Sequence, residues 1–153
     1  MSIIPAGPRF DLTSTFADLN GDGVADIVDT SDSGSIFVTL GRADGTFLDR
    51  RESSPHVAFP TAVHAADVDG DGHADLLVSD FRATSIDYLP GDGAGNFSGP
   101  MAIDAGGPVN DFKIADVNGD GRPDIVTVND DHSVSVMINL GPCRPPRHRA
   151  VRR

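Results

Sequence analysis

The chain has 153 residues, the length of one ordinary domain, and a formal net charge of −11 at pH 7. Aspartate supplies 22 of the 23 acidic residues, and this short side chain favours turns rather than helix surfaces. The single cysteine excludes an internal disulfide, and the absence of an apolar run of about 18 residues argues against a transmembrane helix. The acidity also weighs against a nucleic-acid partner.

Three similar units follow one another along the chain, near residues 13–61, 62–110 and 111–141. In each unit a short β-branched run leads into an aspartate-rich loop, a second apolar run follows the loop, and a third run ends at a glycine. We align these three glycines, Gly41, Gly91 and Gly141, with one another. Short runs of this kind, broken by Gly, Asp and Asn, indicate strands joined by turns. No stretch of about 12 residues has helical periodicity. We therefore predict an all-β chain of three four-stranded repeats, each about 49 residues long.

The aspartate-rich loops begin 49 residues apart, and we call them loop one (18–26), loop two (67–75) and loop three (116–124). Each has an oxygen-bearing side chain at its first, third, fifth and ninth positions and a glycine at its sixth. A hard cation takes six to eight oxygen ligands at roughly 2.3–2.6 Å. We predict one calcium ion in each loop, bound by the side chains of Asp18, Asn20, Asp22 and Asp26, of Asp67, Asp69, Asp71 and Asp75, and of Asp116, Asn118, Asp120 and Asp124.

Other loop types explain the pattern less well. An EF-hand needs a glutamate at the twelfth position and helices on both sides, whereas this position holds Asp29, Val78 and Thr127 and strands follow. Metal-free turns are the simpler alternative, but three copies at one period disfavour it. Loop two has four carboxylates and the other loops have three, so we expect loop two to bind calcium most tightly.

A unit of four strands and about 50 residues has the size of a β-propeller blade. The three loops and the Leu-Gly…Asp-Gly-Thr-Phe pattern at residues 40–47 resemble the FG-GAP/VCBS repeat family, whose blades also form integrin α-chain propellers. The resemblance covers roughly residues 10–141. It implies that each loop joins the first two strands of a blade and holds one calcium ion. It also implies that the main-chain carbonyls of Val24, His73 and Arg122 complete the three ligand sets.

The third unit departs from the pattern, because no Gly-Thr-Phe segment follows Gly141. Residues 2–7 resemble the end of the second unit, so we predict that they form a displaced fourth strand of the third unit. Residues 1–141 would then form the module, and the basic residues 142–153 a disordered tail. Three blades are too few for a closed ring. The alternatives are a partial propeller belonging to a longer protein, and a homodimer that closes a six-bladed ring.

The residues favour binding over catalysis. The five histidines have no metal-ligand spacing, and no nucleophile and base are recognisable, so we do not expect an enzyme. We predict a calcium-binding propeller module for protein–protein interaction, adhesion or scaffolding. The alternative is a calcium-dependent lectin, although aromatic residues are sparse. Candidate ligand surfaces are residues 50–52 and 81–82. The resemblance implies an extracellular or cell-surface location, although no signal peptide is visible at the start of the chain.

Overall fold

The computed structural model describes residues 11–53, 57–81, 83–141 and 147–151. These residues form twelve strands and three four-stranded antiparallel sheets, in which the strands are adjacent in chain order. No helix occurs among them, and so none that could cross a membrane. The all-β prediction is confirmed. The first sheet contains β1 (Asp11–Ala17), β2 (Asp26–Ser31), β3 (Ile36–Thr39) and β4 (Arg51–Ser53), the second β5 (Pro60–Ala66), β6 (Asp75–Asp80), β7 (Ser85–Leu89) and β8 (Met101–Asp104), and the third β9 (Val109–Ala115), β10 (Asp124–Asn129), β11 (Val134–Ile138) and β12 (Arg147–Val151).

The three sheets share an irregularity in their first strand pair. The register of the first sheet slips by one residue between Asp11 and Thr13, and that of the second slips between Pro60 and Ala62. The third sheet has the same slip next to Asn129. An extra residue in one strand is a β-bulge, which bends the strand and increases its twist. The bulge recurs at the equivalent position of all three sheets, so the three units share their backbone geometry as well as their sequence pattern.

Two apolar cores lie between successive sheets. Alternate residues of β6 face opposite sides, as a pleated strand requires, so Leu76 belongs to one core and Leu77 to the other. The first core joins Val28, Ile36 and Val38 of the first sheet to Leu76, Val78 and Leu89 of the second. The second core joins Leu77, Ile86 and Tyr88 of the second sheet to Phe112, Ile125 and Met137 of the third. The second sheet is therefore covered on both faces.

The fourth strand of the third sheet differs from our prediction. The position beside β11 is occupied by β12, which pairs from Val134 with Val151 to Ile138 with Arg147. Residues 147–151, which we expected within a disordered tail, are thus part of the sheet. The basic composition suggested disorder, but charged residues are common on edge strands, where they discourage further pairing. The displaced strand predicted at residues 2–7 lies outside the described residues.

Two arginines of the predicted surface at 50–52 make contacts within the chain. The guanidinium carbon of Arg50 lies 3.7 Å from the ring centroid of Phe37, and this side chain also pairs with Asp29. Arg51 extends to the second sheet, where Nη2 donates to the carbonyl of Ala94 at 2.8 Å. Arg50 therefore covers the outer face of the first sheet, and Arg51 ties the first sheet to the second.

Candidate metal centre

Each aspartate-rich loop is folded around its first aspartate. In loop one, the carboxylate of Asp18 accepts hydrogen bonds from the amides of Gly21 and Gly23, both at 2.8 Å. Asp67 and Asp116 accept from the glycines at the same fourth and sixth positions of their loops. All six glycines have positive φ, a conformation that residues with a side chain rarely adopt. The turn therefore depends on glycine at both positions.

In loops one and three, these amide donors favour the charged form of the first aspartate. The amide of Gly23 lowers the pKa of Asp18 below its ordinary value, and the amide of Gly121 does the same for Asp116. Both carboxyl groups are therefore ionised at neutral pH. Calcium binds the ionised form, so the first aspartates of loops one and three are ready for a cation without first losing a proton.

The ninth residue of each loop points inward, a placement that the sequence did not reveal. Asp26 is fully buried, and its two oxygens accept the amides of Leu19 at 2.8 Å and Gly41 at 2.7 Å. Asp75 and Asp124 make the corresponding pairs of bonds in their own loops. Each ninth aspartate therefore ties its loop to the chain segment that follows the third strand.

The third sheet makes this tie with a different residue from the one our sequence alignment suggests. The amide that reaches Asp124 belongs to Asn139, at 2.8 Å, whereas the alignment placed Gly141 opposite Gly41 and Gly91. Asn139 follows its ninth aspartate by 15 residues, as Gly41 does, and Gly91 follows at 16, so the Leu-Gly pair at residues 140–141 misled the alignment. A carboxylate oxygen has about two lone-pair sites, so a buried ninth aspartate retains some acceptor capacity. Calcium ligation by the three ninth side chains stays a prediction.

Loop two has the greatest concentration of negative charge. Carboxylate oxygens of Asp67, Asp69 and Asp71 all lie within 4.8 Å of one another. Two unit charges about 5 Å apart repel by roughly 1 kcal/mol in water, and by several times more near a protein surface. The cluster can hold a metal ion, and a cation there would remove this repulsion. Loops one and three have asparagine at the third position, and Nδ2 of Asn20 donates to Asp22 at 3.1 Å.

Tyr88 contacts loop two from strand β7 and was not among the predicted site residues. Its side chain is 9% exposed, and its hydroxyl oxygen lies 3.2 Å from Oδ2 of both Asp69 and Asp75. Burial raises the pKa of Tyr88 above its ordinary value, so the phenol keeps its proton at neutral pH. Burial also raises the pKa of Asp75, and the nearby charge of Asp69 adds to that effect. The sequence did not reveal this contact, because it is the pairing of β7 with β6 that brings the phenol beside the loop.

Loop three contains a cation of its own. Nη2 of Arg122 donates to Oδ2 of Asp120 at 2.8 Å, and Nε donates to the carbonyl of Asn139 at 3.2 Å. Arg122 occupies the seventh position, where loops one and two have Val24 and His73. The amides of all three residues donate to the fifth aspartate of their own loop. Calcium ligation by their carbonyls stays a prediction.

The donor set fits calcium better than a transition metal. The predicted side-chain ligands are carboxylates and two asparagines, so every donor atom is an oxygen. Oxygen donors suit calcium, magnesium and manganese, whereas zinc and copper favour nitrogen and sulfur. Magnesium usually retains several waters and uses one or two carboxylates, whereas calcium accepts the larger oxygen set offered here.

The first two loops lie within a recognised repeat, because residues 18–78 match the FG-GAP-like repeat. The chain carries an FG-GAP-type repeat. The resemblance inferred from the loop residues is therefore confirmed. No curated protein sequence matches the chain significantly.

Ten chains of solved structures resemble the fold, among them the following two. A lectin of Agrocybe aegerita that recognises non-reducing terminal N-acetylglucosamine has a TM-score of 0.65 and 26% identity, covering 82% of this chain and 34% of the lectin chain. A chain of the Photorhabdus luminescens Tc holotoxin pore has a TM-score of 0.55 and 22% identity, covering 95% of this chain and 7% of the toxin chain. The chain spans about a third of the lectin and a small part of the toxin. The likeness to the lectin, together with the FG-GAP match, supports an all-β, propeller-like arrangement.

Replacing the buried ninth aspartate should destabilise the fold without any metal present. Asp26→Ala leaves the amides of Leu19 and Gly41 without an acceptor, at a cost of about 1–3 kcal/mol each. We expect urea denaturation in EDTA to show a loss of about 2–6 kcal/mol in the free energy of unfolding. Asp49→Ala is the matched control, because this carboxylate is exposed in the same sheet's connection and should cost under about 0.5 kcal/mol. Equal losses in the two variants would contradict the assignment.

Proposed function

We propose that the chain is a calcium-stabilised, propeller-like binding module with one ion in each loop. Loop two carries the proposal, because three of its carboxylates lie within 4.8 Å of one another while backbone amides hold the first of them. The FG-GAP match over the first two loops supports it. Asp67 and its counterparts shape the loop, and the third and fifth side chains supply further oxygens. A calcium ion would neutralise the clustered charge and stabilise the folded state by mass action.

The proposed role is binding rather than catalysis. The clustered aspartates that could act as general acids or bases already have a role, since they form the loops and would bind the ions. We propose protein–protein interaction, adhesion or scaffolding at an extracellular or cell-surface location, a setting typical of FG-GAP repeats. Extracellular calcium suits modules with dissociation constants of about 10⁻⁴–10⁻³ M, so weak sites would be filled there.

Calcium should raise the melting temperature, and the loops should fill in a definite order. Loop two has the most carboxylates and should bind first, whereas the Arg122 guanidinium competes for Asp120 and should make loop three the weakest. In a ¹⁵N-labelled sample titrated with calcium chloride, the amides of Gly72, Gly23 and Gly121 report on loops two, one and three. Sodium chloride at matched ionic strength is the control, because the oxygen donors of the loops also suit magnesium.

Two results would contradict this account. A melting temperature that is the same in calcium and in EDTA would remove the proposed stabilisation. A titration in which loop two fills last would contradict the order expected from ligand charge.

A second candidate function is calcium-dependent glycan binding, which the likeness to the Agrocybe aegerita lectin favours. Phe59 and Phe81 are 70% and 63% exposed, and the amide of Phe81 donates to the carbonyl of Phe59 at 2.9 Å. Phe59 also has a φ of +42°, which is uncommon for a phenylalanine. Two adjacent exposed rings offer apolar faces on which a sugar ring can stack. Phe59 precedes β5 and Phe81 follows β6, so both lie at the ends of these strands that are opposite loop two.

A glycan array that includes terminal N-acetylglucosamine tests this second function. We expect binding in calcium and a loss of at least tenfold in signal for the Phe59→Ala/Phe81→Ala double variant. Phe16→Ala is the matched control, because Phe16 is also exposed but lies on the first sheet. If no glycan is retained in calcium, or if the double variant binds like the control, the glycan function is wrong.

We propose further that a second copy of the chain covers the outer face of the third sheet. Val117, Val128 and Val134 on this face are 48%, 48% and 44% exposed. Strand register makes Val134 the counterpart of Ile36 and Ile86, which are both fully buried by the next sheet. An apolar surface of this kind is typical of an interface. In a six-bladed ring it would meet the first sheet of the other copy.

Light scattering of the calcium-loaded protein should give twice the mass of one chain. Val134→Glu should convert this dimer to a monomer, because it places a charge in the proposed contact. Met101→Glu, at an exposed position of the second sheet, lies outside this contact and should leave the dimer intact. A monomeric wild-type chain at high concentration would show that the homodimer is wrong.

A further inference from the structure

Loops one and three stabilise their third position from within the loop. Nδ2 of Asn20 donates to Oδ2 of Asp22 at 3.1 Å, and Nδ2 of Asn118 donates to Oδ2 of Asp120 at 3.1 Å. Each amide group therefore provides a donor between the third and fifth ligands. An ionised carboxylate only accepts hydrogen bonds, so Asp69 of loop two cannot provide this contact.

Tyr88 provides loop two with a donor from outside the loop. Its hydroxyl lies 3.2 Å from Oδ2 of Asp69, while the amide of Asp71 donates to Oδ1 of Asp69 at 3.1 Å. Both oxygens of the additional carboxylate are therefore within hydrogen-bond distance of a donor group, and the single phenol proton is shared with Asp75. The phenol ring belongs to the buried core between the second and third sheets, so its hydroxyl has a fixed position.

The phenol and the additional carboxylate occur in the same unit and are missing from the other two. Strand register pairs Tyr88 with Leu77, and the corresponding pairs are Val28 with Val38 and Val126 with Val136. The counterparts of Tyr88 are thus Val38 and Val136, which have no hydroxyl. Those two units have asparagine at the third position of the loop, where loop two has aspartate.

We propose that Tyr88 is a positioning residue that holds Asp69 in the orientation needed for loop two to bind calcium with four carboxylates. The inference rests on the proposed calcium-binding function. Partners that hold a ligand carboxylate from outside the coordination shell fix its orientation, and their removal typically costs 10–100-fold in metal affinity. The same hydroxyl is 3.2 Å from Asp75, so one side chain links the third and ninth positions of the loop.

A double-mutant cycle measured with calcium alone tests the inference. Tyr88→Phe removes the hydroxyl but keeps the buried ring, and we expect about a tenfold loss of calcium affinity at loop two. The amide of Gly72 reports this affinity, while Gly23 and Gly121 report loops one and three in the same sample and should not change. In an Asp69→Asn background the introduced amide can supply its own donor. Tyr88→Phe should then change the affinity by less than about threefold.

The possible outcomes distinguish a wrong positioning role for Tyr88 from a wrong calcium-binding function. If the wild-type chain binds no calcium at any loop, the proposed function is wrong. If the wild type binds but Tyr88→Phe leaves loop two within about twofold of its affinity, the positioning role is wrong and calcium binding stands. Equal losses with and without Asp69→Asn, or equal losses at all three loops, would mean that the hydroxyl acts on the fold as a whole and would also overturn it. Should Tyr88→Phe fail to fold, the wild-type phenol decides, because the absorbance of the chain's single tyrosine should shift in step with the Gly72 amide as calcium fills loop two. An absorbance that stays unchanged while loop two fills would overturn the positioning role.

Discussion

Three buried carboxylates, those of Asp26, Asp75 and Asp124, join the first strand pair of each sheet to the segment that leaves its third strand. Each accepts one amide from the second residue of its loop and one from beyond the third strand. A buried carboxylate is stable only when its charge is matched by donors, so the loop and the hairpin must both be in place. The same contact leaves the rest of the loop outside the sheet, with its first, third and fifth side chains free to gather around a cation.

The three loops differ in the group that lies among their mutually repelling carboxylates. Loop one separates its carboxylates with the amide group of Asn20, and loop three adds the guanidinium of Arg122. Loop two has neither and brings a phenol from the core instead. A guanidinium lowers the repulsion but also competes with a metal ion, whereas a phenol orients a carboxylate without neutralising it. Similar sequences at one period therefore produce loops with different electrostatic properties.

Much of the fold could be predicted from the sequence, because turns and strands are local features. The loop residues and the apolar runs around them gave the three sheets and the FG-GAP-type repeat. The fourth strand of the third sheet was missed because the basic composition of residues 147–151 is typical of a disordered tail. The segment forms a strand by pairing with the edge that β11 offers. The structural role of Asp26 was missed for a related reason. A ligand pattern does not distinguish an oxygen that faces a metal from one that faces two backbone amides.

The remaining differences arise from contacts between sheets. Arg51 was expected on a ligand surface, but its guanidinium reaches the second sheet. A second contact joins the other two sheets, because Nδ2 of Asn139 in the third sheet donates to the carbonyl of Val68 in loop two at 2.6 Å. Neither contact has a sequence signature, because each joins residues more than 40 positions apart. They connect neighbouring sheets through polar groups at the margins of the apolar cores. Loop two is thereby attached to the third sheet as well as to its own.

The position of Tyr88 also determines which part of the molecule is followed by near-ultraviolet absorbance and fluorescence. The chain has one tyrosine and no tryptophan, so its strongest near-ultraviolet chromophore is a single phenol next to Asp69 and Asp75. Its absorbance and emission are local to loop two and to the core between the second and third sheets. The first sheet contributes only phenylalanines, and its unfolding could pass unseen in that signal. A melting curve followed by tyrosine absorbance or emission therefore reports one part of the array rather than the whole.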